Sequence, residues 1–186
     1  MPPAVNGHAA MHSDHVAWVT AALEQFETRL TRYAERLTGN AHSARDVVQH
    51  AFLKLCDQRV ADVDDVRAWL FTVCHHRAMD LRRSSGRAEP LADADAVLDP
   101  AHDTDPAEQL EAKDLHQKLQ SLVDELPDSQ RDVVHLWSEG FEYCEISGIT
   151  GHTENYIRVL MHRGLHALRR NPLVLKLVSP TSERTV

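Results

Sequence analysis

The chain has 186 residues, 42% of them hydrophobic but only 5% aromatic, and 28 acidic residues outnumber 20 basic ones for a net charge of −8. That length fits one domain or two small ones, and no run approaches the roughly 18 apolar residues of a membrane span. The acidic excess also opposes unaided long-range attraction to nucleic acid.

The opening stretch, MPPAVNGHAAMHSDH, has no basic segment followed by an apolar core, so no signal peptide is expected and the expected location is cytoplasmic. Residues 1–15 read as a flexible leader. From Val16 the pattern is helical, with Leu23, Phe26, Leu30, Tyr33, Ala34 and Leu37 on one stripe and Gly39 placed to stop it. A second start is expected at Ser43 to Asp46, a capping box with Asp in place of Glu, followed by a buried stripe of Val47, Val48, Ala51, Phe52 and Leu55. Asp64 or Asp65 can cap a third helix whose inner face is Val66, Trp69, Leu70, Val73 and Cys74, ending by Ser84 to Gly86. These three helices predict a small bundle over residues 16–87.

The composition then changes. AEPLADADAVLDPAHDTD has little periodicity and reads as an acidic flexible linker over 88–105. Asp105-Pro106 restarts helix, and Leu110, Leu115, Leu119, Leu122, Val123 and Leu126 carry it to Pro127. Helices follow over Ser129 to Glu139, Glu142 to Ile149, and from Thr153 to about Arg170, so the second domain spans 106–170 and a tail 171–186. Strand-like alternation with Asn-Gly or Asp-Gly turns is absent after residue 10. The predicted fold is all-α: two small helical domains joined by an acidic linker.

Charge is unevenly spread. Residues 88–112 hold eight carboxylates and no Lys or Arg, a sum of −8, so the remainder of the chain sums to zero. Arg67 to Arg87 carries five arginines against Asp80, and Thr153 to Arg170 carries four against Glu154. Two basic helices separated by an acidic strap can engage DNA where the whole chain cannot. Within FEYCEISGITGHTENYIRVLMHRGLHALRR, Ser147 is the small residue at a helix crossing, Gly151 the turn glycine, and Ile157 the apolar lock, with Ile146 and Met161 completing the inner face. That pattern is a helix-turn-helix. Thr153 can cap its second helix, and Glu154, Asn155, Arg158, His162 and Arg163 are its candidate DNA-binding residues.

Metal and nucleophile chemistry is not expected, and no catalytic or metal-ligating set is assigned. The three cysteines, Cys56, Cys74 and Cys144, form no CxxC pair, and adjacent His75 and His76 point to different sides of a helix. A metal-dependent enzyme suggested by thirteen histidines is therefore a remote alternative. His8, His12 and His15 could sense a metal, though a flexible leader is the plainer account. A stand-alone helix-turn-helix regulator is the nearer alternative, but it leaves the N-terminal half idle.

From LVDELPDSQR to HALRR the C-terminal half resembles the promoter-binding domain of bacterial RNA polymerase sigma factors, with Leu126-Pro127, Gln130-Arg131, Tyr143, Glu145-Ile146, Gly151 and His162-Arg163 as landmarks. YAERLTGNAHSARDVVQHAFLKL followed by VRAWLFTVCHHRAMDLRR looks like the helical domain of the extracytoplasmic-function (ECF) group. The resemblance implies a protein that is not an enzyme and needs no cofactor. Its implied partners are core RNA polymerase, promoter DNA and an anti-sigma factor, with no membrane insertion. It implies that Asp46, Val47, Gln49 and the face near Leu55 contact core polymerase. It places His76, Arg77, Asp80, Arg82 and Arg83 at the downstream promoter element and the residues of the last helix at the upstream one. By the same likeness the acidic strap threads polymerase channels; about 20 linker residues at roughly 3.3 Å each reach some 65 Å. Departures from the usual family pattern are Leu160 for a basic residue, His152 for an aliphatic one, His76 for Asn and Gly164 for Ala.

Overall fold

The computed structural model describes residues 6–84, 118–172 and 174, with side chains described from Asp14. Seven α-helices and one short 3-10 helix, Val60–Asp62, occur among the described residues: α1 Asn6–Thr38, α2 Ala41–Cys56, α3 Val66–Ser84, α4 at 118–124, α5 Asp128–Ser138, α6 Tyr143–Thr150 and α7 Glu154–Arg169. No strand occurs among the described residues. The helices divide into two compact units, the first containing α1–α3. The acidic strap and the tail beyond residue 174 lie outside the described residues.

In the first unit α1, α2 and α3 pack against one another in all three pairings. The expected stripe of α1 is buried, with Phe26, Leu30, Tyr33, Ala34 and Leu37 facing in, but Leu23 is 38% exposed and Ala22 takes its place. Gly39 ends the helix as anticipated, at φ 65° with its N–H donating to Glu35 O at 2.7 Å. A side chain at that positive φ costs about 1 kcal/mol or more. α1 begins at Asn6, ten residues ahead of the predicted start, so the described part of the expected leader is helical.

α2 also starts earlier than its sequence suggests. Asn40, in an extended conformation, is the N-cap, and its Oδ1 accepts from the N–H groups of His42 and Ser43 at 2.8 and 3.1 Å. Ser43 therefore sits inside the first turn rather than at the cap, since Asn outranks a one-turn-later Ser once its oxygen reaches two orphan donors. Asp65 caps α3, its carboxylate accepting from Ala68 N at 3.1 Å.

The inner face of α3 is Leu70, Phe71, Cys74, His75 and Ala78. Trp69, Val66 and Val73 are only half-buried, so the predicted face is rotated by about one residue. The rotation follows from Phe71 and His75. The Tyr33 hydroxyl lies 2.9 Å from His75 Nδ1, and the Tyr33 and Phe71 rings meet at 5.2 Å between centroids. One aromatic contact and one satisfied polar pair outweigh burying Trp69 on that side. Cys74 is fully enclosed, and burial pushes its thiol from an ordinary 9.0 up to about 12.

In the second unit Pro127 breaks the chain between α4 and α5, where its carbonyl accepts from Gln130 and Arg131. The buried Arg131 guanidinium fixes this corner, donating to Asp124 O at 2.9 Å and pairing with the Asp128 carboxylate. His135, also buried, places Nε2 3.6 Å from the Asp124 carboxylate. α5 packs on α7 through Gly164, where an added Cβ meets Val134 Cγ2 at 3.1 Å. The glycine that stands where relatives are expected to have alanine thus marks a close helix approach.

Candidate nucleic-acid interface

The α6–α7 pair is built as a helix-turn-helix. Glu142 and Glu145 form a reciprocal capping box that starts α6, with Glu142 N donating to Glu145 Oε2 at 2.6 Å. Gly151 ends α6 at φ 73°, its N–H donating to Ser147 O, and the Ser147 hydroxyl donates to His152 O at 2.5 Å. Ser147 therefore fastens the turn by hydrogen bonding besides being small at the crossing. Thr153 Oγ1 accepts from Tyr156 N at 3.4 Å, a long cap bond.

Ile157, Leu160, Met161 and Gly164 point α7 into the protein. At about 100° per residue the opposite line is Asn155, Val159, His162 and His166, spaced i, i+4, i+7 and i+11. All four are exposed. Arg158 and Arg169 flank this line on one side, Arg163 and Arg170 on the other, and these four arginines are exposed as well. Hydrogen-bonding and apolar groups in the middle with cations on both edges suit a major groove, where base edges lie between two phosphate backbones. Arg158 is held to Glu154 at 2.5 Å across one turn. Exposed pairs of this kind contribute about 0.3–0.5 kcal/mol, small enough for phosphate to displace the carboxylate.

Of the residues named from sequence, Asn155, Arg158, His162 and Arg163 lie on this face, while Thr153 and Glu154 sit at its N-terminal edge as cap and ion-pair partner. Val159, Tyr156 and His166 were missed. Val159 and Tyr156 are 43% and 44% exposed; counting four residues on from Asn155 finds Val159, but apolar side chains in a helical pattern are first assigned to the core. Leu160, where a basic residue is usual, is only 2% exposed and belongs to the inner face of α7. His152 is exposed at the turn and meets the Tyr156 ring edge-on at 5.1 Å.

On α3, His76, Arg77, Asp80 and Arg83 are exposed and Arg82 is half-buried. Arg83 is paired with Asp80 at 2.7 Å, so Asp80 serves to orient Arg83 one turn later. His76 and Arg77 follow buried His75, and the His76 ring meets the His75 ring edge-on at 6.0 Å.

α2 revises the partner-binding set. Asp46 and Gln49 are exposed, whereas Val47 and Leu55 are fully buried and offer no side-chain surface. Both belong to the stripe that seals α2 against its neighbours, and a residue there cannot serve core and partner at once. Leu53, two residues before Leu55, is 60% exposed on the outer side of the helix. Gln49 lies outside the apolar stripe of α2.

Residues 22–88 match the family model for sigma-70 region 2. The chain is 32% identical over 152 residues to the ECF RNA polymerase sigma factor SigE of Mycolicibacterium smegmatis, covering 79% of this chain and 58% of that protein. It is 29% identical over 168 residues to the ECF RNA polymerase sigma factor SigL of Mycobacterium tuberculosis, covering 89% and 93%. The family these matches point to is the ECF group of the sigma-70 family. SigI of Mycobacterium tuberculosis, named a probable ECF RNA polymerase sigma factor, matches at 29% identity over 90% of this chain. The chain spans about six-tenths of the length of SigE and SigI, 58% and 60% respectively. The fold is shared with the solved structure of CnrH in complex with the cytosolic domain of CnrY, at TM-score 0.55 and 19% identity over 92% of this chain and 96% of that one. No described helix is long and apolar enough to cross a membrane.

Proposed function

We propose that the chain is a sigma factor that binds core RNA polymerase and directs promoter-specific initiation in the cytoplasm, with α7 at the upstream promoter element and α3 at the downstream one. The reading is supported above all by the outward face of α7, where a central line of Asn155, Val159 and His162 runs between two rows of arginine. The protein acts by binding, with no catalytic chemistry or cofactor of its own. His76, Arg77, Arg82 and Arg83, with Asp80 orienting, hold the melted strand; cationic support of the backbone matters here because few aromatics are available for stacking. Asp46, Gln49 and Leu53 present α2 to polymerase. The domains are 16–87, extended by the helix that begins at Asn6, and 106–170, with the acidic residues of 88–105 lying in the polymerase channel. An anti-sigma protein is the expected regulator, since the neighbour CnrH is solved with the cytosolic domain of CnrY.

The test is transcription in vitro with cognate core polymerase on genomic promoter fragments. A run-off transcript that requires the chain is expected. Duplex binding by the chain alone, with no transcript from any fragment, favours the stand-alone regulator instead.

A further inference from the structure

Four described histidines have a polar partner: His75 with Tyr33, His135 with Asp124, His42 with Asp46, and His15 with the Cys56 carbonyl. His162 and His166 have each other. Both are exposed on α7, their rings lie nearly parallel at 18° with centroids 6.3 Å apart, and neither ring has a hydrogen-bond or ion-pair partner among the described residues. We propose that His162 and His166 form a two-imidazole site for a divalent transition-metal ion of the zinc, nickel and copper class.

The spacing is the first support. Residues four apart on a helix face one another, and a histidine pair at i, i+4 is the arrangement by which a single helix supplies two ligands to zinc. With metal–nitrogen bonds of about 2.1 Å and a ring radius of roughly 1.2 Å, a tetrahedral chelate places the centroids about 5 Å apart. The two rings need to close by about 1 Å, which exposed side chains reach by small χ rotations. Arg158, Arg163, Arg169 and Arg170 border the pair, and their charge weakens the binding of any divalent ion, so selectivity rests on the imidazole nitrogens. Imidazole nitrogen selects zinc, nickel and copper. No group of three or more potential metal ligands occurs among the described residues, so water completes the coordination and binding is modest. The proposal does not depend on what α7 reads, because two side chains on one helix carry it.

The experiment is calorimetric titration of the untagged full-length chain with zinc chloride, paired with the histidine ring resonances followed by NMR. His162→Ala, His166→Ala and a His8→Ala/His12→Ala control are compared, each checked for unchanged helicity by circular dichroism; alanine at exposed helical positions keeps the fold. The expected result is one site that weakens about tenfold or more in either α7 variant, persists in the leader control, and shifts the His162 and His166 resonances together. Equal zinc affinity in wild type, His162→Ala and His166→Ala, with the binding lost in the leader control or assigned to thiols, overturns the proposal.

Discussion

Arg158 and Cys74 show opposite ways in which one residue is set by its surroundings. Arg158 projects from α7 with 58% of its side chain exposed and only Glu154 to hold it. Arg158→Ala is expected to weaken recognition of the upstream element by about 1–3 kcal/mol and to leave core polymerase binding unchanged. Promoter-fragment binding by the holoenzyme measures the first, and a pull-down with core measures the second; loss of both assigns Arg158 to the fold. Cys74 is enclosed, and its thiol is raised from 9.0 to about 12 by burial alone. A raised folded pKa means the native state holds the proton more tightly than the unfolded chain. The resulting stability is therefore complete below pH 9 and falls as the pH rises from 9 toward 12, by at most about 1.4 kcal/mol per unit. Chemical denaturation between pH 8 and 11 reads this slope, and Cys74→Ala is expected to remove its Cys74 part. In the same native state an alkylating reagent should label the exposed Cys56 and Cys144 and spare Cys74. An alkaline slope that Cys74→Ala leaves unchanged sinks the linkage.

At the scale of the element, α2 separates what is packed from what is offered. Leu55 is fully buried and Leu53 is 60% exposed, only two residues away on the same helix. Leu55→Ala is expected to cost about 2–5 kcal/mol of stability, measured by urea denaturation. Leu53→Asp should change stability by less than about 0.5 kcal/mol while weakening capture by core polymerase. A soluble, fully helical Leu53→Asp that binds core as well as wild type removes α2 from that interface. The same helix shows what its sequence made legible. The apolar stripe at Val47, Val48, Ala51, Phe52 and Leu55 stands out because three- and four-residue spacing is itself the burial pattern. Its start was misread because Ser43 matched a capping pattern locally, and only the three-dimensional turn shows Asn40 reaching two backbone donors. On α3 a few residues of periodicity allowed two nearly equivalent faces. The Tyr33–His75 pair decides between them through a contact 42 residues apart in the chain, which no local spacing can show. On α7 the outward line was legible where it was polar and missed where it was apolar, at Val159 and Tyr156.

For the molecule as a whole, the sign of the net charge conceals where charge acts. Residues 88–112 contribute −8 and the remainder sums to zero, so the two basic helices act within a chain whose long-range field is set by the strap. If DNA is engaged only when polymerase presents both units, the free chain should bind duplex weakly and the strap should be one cause. Replacing all eight carboxylates of 88–112 by their amides raises the net charge from −8 to zero. Non-specific duplex binding by the free chain, followed by fluorescence anisotropy, is then expected to tighten about tenfold at low salt. The gain should shrink as ionic strength rises, because the Debye length falls from about 30 Å at 0.01 M to about 8 Å at 0.15 M. Adding Arg163→Ala and Arg170→Ala to the neutralised chain should return part of that gain, since these side chains border the reading face of α7. A neutralised chain that binds duplex no better than wild type at any salt concentration would show that the arginine rows do not face DNA in the free protein. A gain untouched by the two arginine substitutions would move the contact to another basic surface, with the arginines of α3 next to be tested.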